Sequence, residues 1–131
     1  MAVYELVYCS VARAAVSKEE FEGIGADAQT ANSRNGITGV LIYFRETREF
    51  AQVLEGSESK VKALMEKISE DPRHTSIDVL HEGDLTKRAF PDWDMHLSIK
   101  EAGGVLRQLP DLKNVGSSSS LHFLRGIFAT V

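Results

Sequence analysis

Phe50-Ala51-Gln52-Val53-Leu54-Glu55-Gly56 reads as a buried strand with a period of two. Side chains alternate across a strand, so Phe50, Gln52 and Leu54 share one face. Two of these are large and apolar, which points that face into the core. Gln52 then sets an amide, with two donors and an acceptor, between apolar neighbours. A buried amide without partners costs about 1–3 kcal/mol. Two arrangements satisfy it: a core glutamine bonded to backbone or a trapped water, or a glutamine in contact with a ligand held between sheet and helices.

Working outward, the same period continues on both sides. Val3 to Cys9 is a first strand, with Tyr4, Leu6 and Tyr8 on one face and Val3, Glu5 and Val7 on the other. Ser17-Lys18-Glu19-Glu20 is a capping box in which Ser17 caps and Glu20 reaches back. Phe21, Ile24, Ala28 and Ala31 follow at helical spacing, and Asn35-Gly36 closes that helix. Gly23 and Gly25 weaken it by roughly 1 kcal/mol each relative to alanine. Either close packing on the sheet or close approach of a flat ligand accounts for them. Ile37 to Phe44 is a near-continuous apolar run, as in a central strand. Arg45 to Glu49 is a hairpin loop into the strand quoted first.

A second helix begins at Gly56-Ser57, with Val61, Leu64, Met65 and Ile68 as its stripe, and Asp71-Pro72 stops it. Ile77 to His81 is a fourth strand, Gly83 to Pro91 a loop, and Trp93 to Ile99 a fifth strand with Trp93, Met95, Leu97 and Ile99 on one face. The order β-α-β-β-α-β-β predicts an α+β, ferredoxin-like sheet with two helices on one face. In that order strands one and three pair, making Tyr8 and Gln52 neighbours. Gly103-Gly104 breaks the chain, Val105, Leu106 and Leu109 suggest a short helix, and Ser117 to Ser120 could cap another. Leu121, Phe123, Leu124, Ile127 and Phe128 are too apolar for a free tail: they are expected to cover the second sheet face, the alternative being a second subunit in a homo-oligomer. The domain reading is 1–100 for the sheet domain and 101–131 for a C-terminal helical extension acting as cap, oligomer contact or output element.

The 131 residues suit one domain with one real core, at 43% hydrophobic and 26% charged. A formal charge of −4 with no basic patch argues against nucleic acid. The single cysteine, Cys9, excludes an internal disulfide and fits a reducing cytoplasm. The start lacks a signal-peptide pattern, and no apolar run approaches the roughly 20 residues of a membrane span. His74, His81, His96 and His122 fall at no paired metal-binding spacing. No G-x-S-x-G elbow and no G-x-G-x-x-G fingerprint after a strand occurs. Asp71-Pro72-Arg73-His74 could meet an anion or be a solvated loop.

One inward-facing set is left: Tyr8, Asn32, Gln52, Trp93 and Met95. Each alone suits an ordinary core. Together, a phenol, two amides and a tryptophan suit a planar heteroaromatic ligand with carbonyl and ring-nitrogen edges. Rival readings are a small hydrolase using Arg73 and His74 and a purely structural interaction module with an empty pocket.

Five spaced stretches resemble the BLUF family of blue-light sensors that use FAD, over roughly residues 4–99. They are Leu6-Val7-Tyr8-Cys9-Ser10, Asn32 to Leu41, Phe50 to Gly56, Asp71-Pro72-Arg73-His74, and Arg88-Ala89-Phe90-Pro91-Asp92-Trp93-Asp94-Met95. The resemblance implies a ferredoxin-like fold with an isoalloxazine ring between the two helices. It implies that Ile24 and Ile68 sandwich the ring, that Asn32 bonds its polar edge, and that Gln52 bridges it to Tyr8. Lys67, Asp71, Arg73 and His74 match the region of the pyrimidine edge, ribityl chain or phosphates. The implied cofactor is FAD, with FMN or riboflavin as alternatives. The implied chemistry is light-driven transfer of an electron and a proton from Tyr8 by way of Gln52, without substrate turnover. Gln52 is left rotated, tautomerised or both, and Trp93 and Met95, either of them inward in the dark, relay the change. An amide that can present its donor or its acceptor edge is a natural two-state element.

The chain departs from the family at the hairpin Arg45 to Glu49, which is longer and lacks the usual glycines. It also carries Ala28 in place of a serine, and Lys67 where arginine or histidine also occurs. No effector domain fits after residue 99, so the resemblance is to short members acting in the cytoplasm through oligomer change or a separate signalling protein, with no nucleic-acid or membrane partner.

Overall fold

The first strand, β1 (Val3–Ala12), is an interior strand of the sheet and carries apolar residues on both faces. The computed structural model describes residues 3–101, 103 and 126–128. After β1 come α1 (Lys18–Asn35), β2 (Thr38–Phe44), β3 (Glu49–Gly56), α2 (Glu58–Glu70), β4 (His74–Leu85) and β5 (His96–Lys100). The sheet order is β4-β1-β3-β2-β5, antiparallel except for the β2–β5 pair. This is the ferredoxin-like arrangement with one added strand.

Local signals set the helix ends. Ser17 Oγ accepts the Glu20 N–H at 3.1 Å, satisfying one of the orphan donors of the first turn of α1. Gly36 closes α1 in the left-handed region at φ 66°, where a side chain would be strained. Asp71, extended ahead of Pro72, closes α2.

Alternation along the central strands sorts the core into two layers. Tyr4, Leu6, Tyr8, Leu41, Tyr43, Phe50 and Leu54 face the helices, where Phe21, Val61 and Met65 pack on them. Phe21, Tyr43 and Phe50 stack with centroids 5.1–6.5 Å apart, each pair contributing about 0.5–1.5 kcal/mol beyond burial. Val7, Cys9, Val40, Ile42, Phe44, Ala51 and Val53 face the other way, and Phe128 is buried against them with Ile127 beside it. The expected apolar cover of the second face thus holds for these two residues. Leu121, Phe123 and Leu124, the helix suggested around Val105, Leu106 and Leu109, and the Ser117–Ser120 cap lie outside the described residues.

Two strand limits differ from the sequence reading. β4 runs from His74 to Leu85, well beyond Ile77 to His81. It is an edge strand whose polar residues are half-exposed, so its ladder to β1 left little hydrophobic signal. β5 starts at His96 rather than Trp93. Residues 91–95 are turns and bends, so the period-of-two alternation does not extend back to Trp93.

Candidate functional site

The β1–β3 register sets Tyr8 directly opposite Gln52, with both side chains on the helix face. Both are nearly inaccessible, at 3% and 5% exposure. The Tyr8 hydroxyl donates to Gln52 Oε1. Gln52 Nε2 donates to Met95 Sδ at 3.3 Å. The buried amide is therefore satisfied by a phenol on one side and a thioether on the other. Burial pushes the Tyr8 pKa well above the ordinary phenol value, with Asp71 and Cys9 adding to the effect.

A cavity of about 230 Å³ opens beside this chain, between the two helices and the sheet. Ile24 and Ala28 of α1, Leu64 and Ile68 of α2, and Leu41 and Phe50 of the sheet give it apolar walls. Tyr8, Gln52 and Asn32 are its inner polar groups. Asn32 is 2% exposed and donates Nδ2 to the Asp94 carbonyl at 2.9 Å. Its Oδ1 and its second amide hydrogen are what it can offer a ligand.

Asp27, Asp71, Arg73 and His74 also line the cavity. Arg73 donates Nε and Nη2 to Asp71, the closest contact being 2.5 Å, and the guanidinium holds the Asp71 carboxyl below the usual range against the effect of partial burial. Nη1 remains for an anion. His74 spends both ring nitrogens on protein. Its Nε2 lies 2.6 Å from the Ile68 carbonyl and its Nδ1 2.7 Å from Ser10 Oγ. A carbonyl only accepts, so Nε2 carries a hydrogen.

The structure brings Tyr8, Ile24, Asn32, Gln52, Ile68, Asp71, Arg73 and His74 to one cavity. Met95 joins through its sulfur. Lys67 is exposed on α2 and is not among the lining residues. Trp93 corrects the expectation of an inward-facing tryptophan. It packs on the opposite face, stacked between Phe90 at 5.3 Å and His96 at 4.3 Å, because the bend at Asp94 and Met95 breaks the alternation that would have aligned it with Met95.

The reading of the sequence missed a second buried polar cluster. Glu55, fully buried, accepts from Thr38 Oγ1 and from the Ala89 and Phe90 N–H groups at 2.7–3.0 Å. Arg88 reaches the Gly36 and Glu55 carbonyls. This clasp fixes the loop that leads into Trp93 and Met95. Its signal lay in Glu55 itself, a carboxylate on the strand face shared with Ala51 and Val53.

The donor set suits a flat heteroaromatic ring: apolar walls from both helices, two amides deeper in, and a cation–carboxylate pair beside them. The family model for sensors of blue-light using FAD, BLUF, matches residues 3–96. The chain belongs to the BLUF family. BLUF domains bind flavin, and this chain is a member of that blue-light photoreceptor family. It is 31% identical to BlrB, a BLUF protein whose dark-state structure superimposes with a TM-score of 0.76, covering 99% of this chain and 98% of that one. The photo-activated state of BlsA superimposes with a TM-score of 0.77 at 25% identity, covering 96% of this chain and 94% of that one. The photoactivated adenylate cyclase subunit beta of Euglena longa is 32% identical over 119 residues, which are 90% of this chain and 13% of that protein. The chain thus spans about an eighth of that curated relative. Among the described residues no helix is long and apolar enough to cross a membrane.

Proposed function

We propose that this BLUF chain works as a blue-light switch whose moving part is the Gln52 amide, with Tyr8 as electron and proton donor. The observation that carries the proposal is the hydrogen-bonded chain Tyr8–Gln52–Met95 at the wall of the cavity. Bound flavin supplies the chromophore and the light-driven electron acceptor. Ile24 and Ile68 hold its ring, Asn32 its polar edge, and Asp71, Arg73 and His74 the region towards the side chain, with Lys67 in reach of solvent beyond them. The Nη1 group of Arg73 favours a phosphate-bearing flavin, FAD or FMN, over riboflavin, and FAD is proposed of the two because the family is described as using it.

Tyr8 keeps its proton at neutral pH because burial disfavours the phenolate. It gives up that proton, by way of Gln52 Oε1, only together with an electron, and takes both back on recombination, so no net oxidation remains. Gln52 is left rotated, tautomerised or both. A rotated Gln52 turns Nε2 towards Tyr8 and Oε1 towards Met95. The Met95 sulfur has no hydrogen to donate, so the contact with Gln52 is lost and the side chain shifts. Through β5 that shift leaves the cavity, with Trp93 on the far face as the second relay residue.

The chain itself performs no turnover in this reading, and its output goes to a separate cytoplasmic signalling protein or to a change in oligomer, with residues 101–131 as the output element. A hydrolase at Arg73 and His74 is disfavoured, since both His74 nitrogens and two Arg73 nitrogens are spent on protein. Gln52→Leu tests the proposal. The variant should retain flavin and lose the light-induced spectral shift. A full shift in that variant contradicts it, and chromatography of the released chromophore identifies the flavin.

A further inference from the structure

α1 presents two adjacent stripes. Ile24, Ala28 and Ala31 face the cavity. Gly25, Gln29 and Asn32, spaced four and three apart, face the segment that enters β5. Leu97 lies so close over Gly25 that a Cβ there would sit 2.2 Å from Leu97 Cδ1. Asn32 Nδ2 donates to the Asp94 carbonyl at 2.9 Å, and Gln29 Nε2 donates to the Met95 carbonyl at 2.8 Å. The Gly39 N–H donates to the Trp93 carbonyl at 2.9 Å. Three consecutive carbonyls in an otherwise irregular stretch are thus each held by a donor from another element. Asn32 also lines the cavity. Gln29 does not, and its side chain bonds the residue whose sulfur meets Gln52.

We infer that Gln29 is a positioning residue that holds Met95 inward by its backbone, and so sets how readily Met95 leaves Gln52. The inference deepens the proposed switch and rests on Met95 being part of it. Without the Gln29 bond the Met95 carbonyl is free to turn, and the side chain follows.

Gln29 is exposed on α1, and glutamine, glutamate and lysine have similar helix propensities, so its variants should fold. Gln29→Glu keeps the length and removes the donor. Gln29→Lys keeps a donor of similar reach. The readout is the methyl resonance of Met95 in flavin-loaded full-length protein kept in darkness, with selectively 13C-labelled methionine methyls. Wild type should show one Met95 signal. Gln29→Glu should shift or split it, raising the outward population about 2- to 10-fold, the scale of one hydrogen bond's net contribution. Gln29→Lys should restore the wild-type signal. A Met95 signal unchanged in Gln29→Glu overturns the inference, and so does a Gln29→Lys signal displaced as far as that of Gln29→Glu. This dark-state readout requires no photochemistry. A failure of the light response in wild type would therefore count against the switch while leaving the Gln29 result to be judged by itself.

Discussion

Tyr8, Gln52 and Met95 show how much chemistry a single strand pairing can specify. The register sets Tyr8 beside Gln52, and the amide then has one partner it accepts from and one it donates to. Tyr8→Phe removes only the hydroxyl. The variant should bind flavin and lose the photoshift, and it should unfold about 1–3 kcal/mol more easily because Gln52 Oε1 loses its buried donor. Absorption under blue light and chemical denaturation read the two effects, and a normal photoshift in Tyr8→Phe removes Tyr8 from its assigned role. Gln52 was legible because a polar residue interrupted an apolar face at a period of two. Glu55, on the opposite face, was passed over, although alternation implied a buried carboxylate in need of donors; besides Thr38 on β2, its donors are Ala89 and Phe90 on a loop far along the chain. Trp93 could not be placed, because the bend before β5 comes from tertiary hydrogen bonds to Gly39, Asn32 and Gln29 rather than from local pattern.

At the scale of the element, α1 separates the two explanations for its glycines. A Cβ at Gly25 would strike Leu97, whereas one at Gly23 meets nothing within 4 Å. Close packing of helix on strand therefore accounts for Gly25, and no packing requirement accounts for Gly23. Gly23→Ala should stabilise the protein by about 0.5–1 kcal/mol through helix propensity and a less flexible unfolded chain. Gly25→Ala should destabilise it, since overpacking costs about 1–3 kcal/mol and exceeds the same propensity gain. Urea midpoints of the two variants should move in opposite directions; a shift in the same direction contradicts the packing. The helices and central strands were readable because their apolar spacing is strong. β4 was only partly so, since its outer residues meet solvent on both faces and its extent is set by pairing with β1.

For the molecule as a whole, β4 is an edge held to the centre partly by side chains. Tyr4, on β1, donates to Glu82 at 2.5 Å, and Lys62 of α2 sits 5.3 Å from the Tyr4 ring centroid. The bond to Glu82, then burial, raises the Tyr4 pKa from 10.0 to about 12. A raised phenol pKa means that the protonated, folded form is favoured. The stability it confers is fully present below pH 10 and is lost as pH climbs from 10 to about 12. Tyr4→Phe should be less stable at neutral pH and should lose less stability across that alkaline window. Parallel denaturation curves for wild type and variant through the window would contradict the linkage.

The ferredoxin-like order was recoverable from periodicity because both sheet layers are apolar and the helices are amphipathic. The cover of the second layer was only anticipated as a need, which Ile127 and Phe128 meet. In the proposed switch, light changes the hydrogen bonds of Gln52 without consuming the flavin. The most direct measurement is the visible absorption spectrum of the flavin-loaded protein in darkness, just after blue light, and during recovery. The flavin spectrum should move slightly to the red in the light and return in the dark. A spectrum that bleaches, or that stays fixed under illumination, would contradict it.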